Sequence, residues 1–354
     1  MTQAKGPFID QIKDGQAVRG LFLVRQMSRA ETKAGKPYLM LTLMDRTGEM
    51  AARVWDNAEA LAPECPVGAV VEIDAQAQAF RDVLQLKIND LRGVPGPADP
   101  ARFMPATPAD IPALQAELRQ VITTIQDRHL RALLEKIFAN QPFLDQFCQA
   151  PAAKNMHHAY IGGLLEHTVA VTRLANLISP LYPALDHALL LTGALLHDLG
   201  KVREFSFVAF PFDYSDQGRL IGHLVLGVEM IGEAIATLPD FPVDLADRLK
   251  HLILSHHGRY EYGSPALPMT LEAFVLNLLD DLDAKANYLG RLTDQARKDD
   301  GYQWTDFQRT LERFLFVRGR ASREETVDHP PAAPPVAPAK SNKSDKQQPL
   351  LWEQ

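Results

Sequence analysis

Leu189 to Lys201 reads LLLTGALLHDLGK, an apolar run that ends in the doublet His197-Asp198 and passes at once into Gly200 and Lys201. A run this apolar predicts a buried helix, and an imidazole and a carboxylate at its end then sit together at the edge of a core. Sequence neighbours share one pocket only where a helix end turns both side chains the same way, and Gly200 permits such a turn while Lys201 can project back toward a bound phosphate. Burying the carboxylate is tolerable when a cation offsets its charge. Working outward, His167 precedes the doublet, and His223, His256-His257 and Asp280-Asp281 follow it, each on a separate predicted helix. One such histidine alone is more often a satisfied core residue. The whole set in this order predicts a divalent metal centre, which needs neutral imidazoles and ionised carboxylates converging from different helices.

The rest of the chain divides at shifts of composition. From about Gln16 to Arg92 the segments AVRGLFLVRQM, KPYLMLTLMD, EMAARVWD, GAVVEIDAQAQAF and DVLQLKINDL read as five short strands, with DRTG as a tight turn. That predicts an all-β barrel of the OB-fold type over residues 14–94. The prolines and small residues of VPGPADPARFMPATPADIP predict an extended linker over 95–112. Apolar residues three and four apart then predict an all-α domain over 113–318, with its chemistry within 155–290. Residues 319–354 are rich in proline, alanine and lysine and predict a disordered tail.

Composition narrows the function classes. The chain has 354 residues, 46% of them hydrophobic, enough for a multidomain globular protein. A formal charge of −7 means that any nucleic-acid contact rests on a local basic face. Cys65 and Cys148 are the two cysteines and lack CxxC spacing, so neither a disulfide framework nor a thiolate zinc site is expected. The amino terminus has no signal-like apolar run, and no stretch reaches the roughly 20 apolar residues needed to span a bilayer, so a cytoplasmic protein without a membrane partner is expected.

The strings LLEHTVAV, LLHDLGKV, GHLVLG, LILSHHG and LLDDLDAK resemble the HD-domain superfamily of metal-dependent phosphohydrolases, an all-helical fold. The resemblance implies that His167, His197, Asp198 and a closing aspartate ligate one ion. Asp198 then bridges to a second ion held by His223, His256 and His257. For the closing aspartate, Asp280 fits the usual Asp-x-Leu spacing better than Asp281. Asp198 and Lys201 are the expected catalytic pair, with Lys201 neutralising charge on the phosphoryl group. His157 and His158 in KNMHHAYIGG are candidates for touching substrate or protonating a leaving oxygen.

An OB-fold followed by an HD domain is the organisation of the YhaM family of 3′-to-5′ exoribonucleases. The longer strings GKPYLMLTLMDRTGEMAARVWDN, NMHHAYIGGLLEHT and LILSHHGRYEYGSP resemble that family along most of the chain. The resemblance implies two ions of manganese or another divalent metal, and the donor types themselves accept Mn²⁺, Fe²⁺, Co²⁺, Ni²⁺ or Zn²⁺. It also implies single-stranded RNA and to some degree DNA as substrate, and a homo-oligomer. On the barrel, Phe22, Tyr38 and Trp55 are candidate base-stacking rings, and Arg19, Arg81 and Lys87 candidate phosphate contacts. Alternation along a strand places about half of such residues inside. Two alternatives stand beside this reading: a phosphohydrolase of small nucleotides and a non-catalytic nucleic-acid-binding protein. Cyclic-dinucleotide phosphodiesterases of the superfamily follow their His-His pair with Glu and then Gly-Tyr-Pro. This chain continues GRYEYGSPALP, which argues against them.

Overall fold

Five strands, β1 (Ala17–Glu31), β2 (Pro37–Asp45), β3 (Gly48–Val54), β4 (Val70–Phe80) and β5 (Val83–Gly93), close into a barrel in the order β1-β2-β3-β5-β4. All neighbours are antiparallel except β3 and β5, which close the barrel in parallel. The structure, a computed structural model, describes residues 5–80, 83–95, 100–154, 158–206, 212–295 and 301–318. Alternation sorts each strand as its pleat requires: Leu39, Leu41 and Leu43 of β2 point inward, and Tyr38, Met40 and Thr42 point outward. The interior is filled by these leucines with Val18, Phe22, Val24, Ile73 and Leu86.

The run LFLV in β1 is buried on both sides of the pleat. Phe22 and Val24 enter the barrel, whereas Leu21 and Leu23 lie on its outer wall with Met44 and Val70. That outer patch is covered by Phe103, Met104 and Phe212. The expectation of a plain extended linker is therefore corrected. Phe103 and Met104 are buried, a short helix occupies Pro100–Phe103, and Thr107 donates its backbone N–H to Ile161 O at 2.8 Å. Residues 96–99 of the linker lie outside the described residues.

The helical domain contains α1 (Ile111–Thr124), α2 (Arg128–Phe138), α3 (Gln141–Gln149), α4 (Gly163–Ile178), α5 (His187–Leu196), α6 (His223–Ile235), α7 (Val243–Ser255) and α8 (Leu271–Gln295). Caps start several of them at positions the sequence dictates: Asp110, Asp127, Asn140 and Asp186 each accept a backbone N–H from the first turn. The central helix α5 is buried from Leu189 to Leu196 and meets α4 and α7 in one continuous core. A two-stranded piece, β6 (Phe205–Ser206) with β7 (Asp213–Tyr214), interrupts the helices.

Helix was expected through about Phe316, but α8 ends at Gln295 and a hairpin follows, β8 (Tyr302–Trp304) with β9 (Phe316–Arg318). The Tyr302, Trp304 and Phe316 rings alternate onto one face of this ladder, a period of two that the helical reading missed. The hairpin belongs to a second compact unit, Leu292–Gln354, distinct from Met1–Arg291. The expected disordered tail, 319–354, lies outside the described residues.

Candidate metal centre

Helix ends aim the histidines at one point. His197 and His256 are the C-cap residues of α5 and α7, and each directs Nδ1 to a carbonyl of its own last turn, Ala194 O at 2.9 Å and Ile253 O at 2.8 Å. Those carbonyls have no helical N–H partner, so the imidazole satisfies them. A carbonyl only accepts, so Nδ1 carries the proton and the Nε2 lone pair faces inward. The two helix carboxyl ends also converge there, and the negative end of each helix dipole favours a cation.

Gly200 brings α6 against this corner. Its backbone is right-handed helical, so the expected conformational freedom is not what the position uses. Instead, a Cβ at Gly200 would stand 2.0 Å from His223 O, a contact no side chain permits. His223, the first residue of α6, thereby reaches the doublet. His167 comes from the buried face of α4, and Asp280 from the buried edge of α8. Asp281 points away and pairs with Lys285 at 2.6 Å, on the exposed side.

The resulting geometry has two lobes that share Asp198. In one, His167 Nε2 is 3.1 Å from His197 Nε2 and 3.1 Å from Asp280 Oδ1, while Asp198 Oδ2 is 3.6 Å from His167 and 3.4 Å from His197. In the other, Asp198 Oδ1 is 3.6 Å from both His223 Nε2 and His256 Nε2, and His223 Nε2 is 3.2 Å from His257 Nε2. Donor atoms that share an ion at about 2.1 Å stand roughly 3.0–3.4 Å apart. Both lobes are close to that spacing.

Two further observations fit the residues to cations. Asp198 Oδ1 is fully buried without a hydrogen-bond partner, a costly state for a carboxylate oxygen. In the second lobe, the Nε2 atoms of His223 and His257 face each other while His257 Nδ1 is turned to Tyr262 O at 2.9 Å. Facing lone pairs repel unless a proton or cation lies between them.

The electrostatics agree. Burial would raise the Asp198 carboxyl, but the Lys201 ammonium and the His197 and His256 imidazoles outweigh it and hold the group well below the usual carboxylate range. Asp280 is likewise held low, burial being overcome by the hydrogen bond and charge of His167. Burial opposes charge on His167, yet Asp280 and Asp283 raise it to about 9. His257 goes the other way, to about 3, through burial and the neighbouring His256 and His223. Lys201 is buried, with Nζ 2.6 Å from Asp198 Oδ2.

Two contributors escaped the sequence reading. Asp283 accepts from His167 Nδ1 at 2.7 Å, and Glu204 from His223 Nδ1 at 3.0 Å. Asp283 lies three residues after Asp280 on one helix face, a spacing that could have flagged it. Glu204 carried no comparable signal. His158, expected to touch substrate, is corrected. Its side chain is 3% exposed and turned to Asp283 Oδ2 at 3.0 Å, so it lies behind His167. His157 is outside the described residues.

The barrel candidates separate in the same way. Phe22 is fully buried in the interior, so its expected base stacking is corrected. Tyr38 and Trp55 stack on each other on the outer wall, centroids 4.6 Å apart. Beside them the register aligns Met40 with Arg53 and Arg53 with Lys87 across three strands. Arg19 is exposed on β1 and paired with Asp74 at 2.6 Å. Arg81 is outside the described residues.

A closed five-stranded barrel joined to a helical domain with a buried histidine–aspartate centre defines an OB-fold module on an HD-type domain. Family models agree: an HD domain matches residues 164–285, and an OB-fold nucleic acid binding domain matches residues 22–93. The chain is 33% identical to the 3′-5′ exoribonuclease YhaM of Halalkalibacterium halodurans over 80% of its length and 88% of that protein. It is 35% identical to the protein of that name from Listeria welshimeri, over 78% and 88% respectively. A replication protein A OB-fold domain from Methanococcus maripaludis is similar over 26% of this chain and 98% of its own, with 14% identity and a TM-score of 0.22, a likeness too slight to carry an argument. The chain belongs to the YhaM family of 3′-5′ exoribonucleases.

Proposed function

We propose that this protein is a metal-dependent 3′-to-5′ exoribonuclease acting on single-stranded RNA, and to some degree on single-stranded DNA. The observation that carries the reading is the divided carboxylate of Asp198, with one oxygen in each histidine lobe and the second oxygen buried without a partner. His167, His197, Asp198 and Asp280 would hold one divalent ion, and Asp198, His223, His256 and His257 the other. Bound there, the pair supplies Lewis acidity that polarises a phosphodiester and activates water, so hydrolysis needs no protein nucleophile. The nitrogen and oxygen donors suit Mn²⁺, and equally Fe²⁺, Co²⁺, Ni²⁺ or Zn²⁺.

The chain's own part is charge and orientation. Five imidazoles are held with Nε2 inward by bonds at Nδ1, and the Lys201 ammonium stands beside the bridging carboxylate, where it can neutralise phosphoryl oxygens. The Tyr38–Trp55 ring pair and the Arg53–Lys87 rung support capture of a single strand by stacking and phosphate contact. Between barrel and helical domain lies a cavity of about 590 Å³ lined by Arg25, Lys154 and Arg291 and by Glu49 and Asp213, which pair with Arg25 and Lys154, a volume in the range of small-ligand sites.

An oligomer is supported by α8, whose Leu271, Phe274, Leu278 and Leu282 form an exposed apolar stripe at heptad-like spacing. No helix among the described residues is long and apolar enough to cross a membrane. We place the protein in the cytoplasm, a reading supported by the free thiols of Cys65 and Cys148.

The test is product analysis on 5′-end-labelled single-stranded RNA with added Mn²⁺, comparing the parent with Asp198→Ala. Progressive shortening from the 3′ end, lost in the variant and on chelation, is expected. Equal degradation by both proteins would remove the assignment, and internal fragments would redirect it to an endonuclease.

A further inference from the structure

All five imidazoles of the centre turn Nδ1 outward, but their acceptors differ in charge. His197, His256 and His257 give Nδ1–H to backbone carbonyls, whereas His167 and His223 give it to carboxylates, Asp283 and Glu204. One carboxylate-braced imidazole therefore falls in each lobe. We propose that Asp283 and Glu204 are positioning residues, each setting the affinity of one of two ion positions independently of the other. The inference rests on the two-ion reading above and adds to it which residue tunes which position.

The physical reason is that a charged acceptor at Nδ1 strengthens the bond that fixes the ring and enriches the electron pair at Nε2. A neutral carbonyl orients the ring with less of that effect. With one charged brace per lobe, loss of a brace weakens one position and leaves its neighbour's ligands untouched.

Both braces are themselves held. Asp283 Oδ2 also accepts from His158 Nε2 at 3.0 Å. His158 is fixed in turn: its backbone N–H donates to Asn287 Oδ1 at 3.0 Å, and its Nδ1 accepts the Tyr160 hydroxyl at 2.8 Å. Its φ of +46° is left-handed, uncommon for a residue with a side chain, and strain of this kind persists only where the surroundings impose it. Asn287 lies one turn beyond Asp283 on α8, so helix and loop clamp the carboxylate from two directions. This gives His158 a task without substrate contact.

Glu204 Oε1 accepts both the His223 backbone N–H at 3.1 Å and its Nδ1–H at 3.0 Å. The Glu204 backbone is pinned from behind. Its carbonyl accepts Ser215 N–H at 2.8 Å, and a Cβ at Gly218 would stand 2.1 Å from that same oxygen.

The experiment titrates metal-stripped, full-length protein with Mn²⁺, reading affinity by calorimetry and site occupancy by electron paramagnetic resonance. The parent is expected to bind two ions and to show the spin-coupled signal of a pair. Asp283→Ala and Glu204→Ala should each weaken one ion about 10–100-fold and leave the other within about twofold, giving an uncoupled Mn²⁺ signal at intermediate loading. Asp283→Asn and Glu204→Gln, which keep an acceptor but lose its charge, should fall between and remain informative if an alanine variant does not fold. Asp283→Ala and Glu204→Ala should combine additively, whereas Asp283→Ala and His167→Ala, which act on one position, should not. Loss of both ions together in either charge-neutral variant, or parental affinities in all variants, overturns the proposal while leaving the nuclease reading intact. A parent that binds none of Mn²⁺, Fe²⁺, Co²⁺, Ni²⁺ and Zn²⁺ overturns both.

Discussion

Lys201 Nζ lies 2.6 Å from Asp198 Oδ2, and the two side chains are 8% and 2% exposed. A buried ion pair is costly to break from one side, because the remaining charge is left without its partner. Lys201 therefore serves the folded protein before it serves any reaction, as counter-charge to the carboxylate shared by the two lobes. In chelator-treated protein, Lys201→Met should lower unfolding free energy by about 3–5 kcal/mol in urea. Added Mn²⁺ should restore much of that, since a cation replaces the lost charge. Activity at saturating Mn²⁺ should still fall about 10²-fold, because a transition-state charge partner is gone. Undiminished turnover would confine Lys201 to the structural task.

Glycines at two positions should respond in opposite directions. Gly200→Ala places a methyl group 2.0 Å from His223 O, so α6 must move and the lobes separate. Loss of nuclease activity and of at least one bound ion is expected. Gly232, within α6, has nothing within 4 Å of the added atom, and Gly232→Ala should raise stability by about 0.5–1 kcal/mol with activity unchanged. Thermal melts and Mn²⁺ binding on the two variants check both halves.

On the barrel, the outer ring pair should act on affinity and the inner ring on folding. Trp55→Ala should weaken single-stranded RNA binding by about 1–3 kcal/mol, roughly 5- to 150-fold. Lys87→Ala should flatten the dependence of log affinity on log salt by about 0.7. Neither should alter hydrolysis of a small aryl phosphodiester that bypasses the barrel. Phe22→Ala should instead cost about 3–5 kcal/mol of stability, as an interior aromatic does. Parental RNA affinity in Trp55→Ala, measured by fluorescence anisotropy, would remove the ring pair from the binding surface.

Acid should loosen the join between α1 and α4. The Arg173 guanidinium bonded to Glu117 holds that carboxyl below its ordinary value of 4.5, burial opposing it. A carboxyl depressed in the folded state adds stability above its unfolded pKa, and that contribution is lost as pH falls through the folded value. The parent should thus lose this increment below about pH 4.5, while Glu117→Gln lacks it at every pH. The pair is partly exposed, so the difference at pH 7 should not exceed about 1 kcal/mol. A constant offset between the two proteins from pH 7 to pH 3 would exclude the assignment.

Residue by residue, legibility followed how local the deciding physics is. The barrel could be read because alternation is a property of adjacent residues, as in Leu39, Leu41 and Leu43. The doublet could be read because a buried helix end permits few residues there. Phe22 could not, since an aromatic on a strand faces in or out by a register that its neighbours alone leave open, and LFLV is apolar on both faces. Phe103 and Met104 looked like linker because prolines dominate their surroundings, and their burial is explained by the distant outer wall of the barrel, Leu21, Leu23, Met44 and Val70, with Phe212. Asp283 and Glu204 act through histidines 116 and 19 residues away, and no period in the chain connects them.

The apolar seam of Leu21, Leu23, Met44 and Val70 beneath Phe103, Met104 and Phe212 has a practical sequel. A fragment ending near residue 94 would retain all five barrel strands yet bare an oily wall to solvent, and such walls invite clumping. The barrel's outer wall is thus finished by residues beyond its last strand, so a soluble fragment would have to extend at least through Met104.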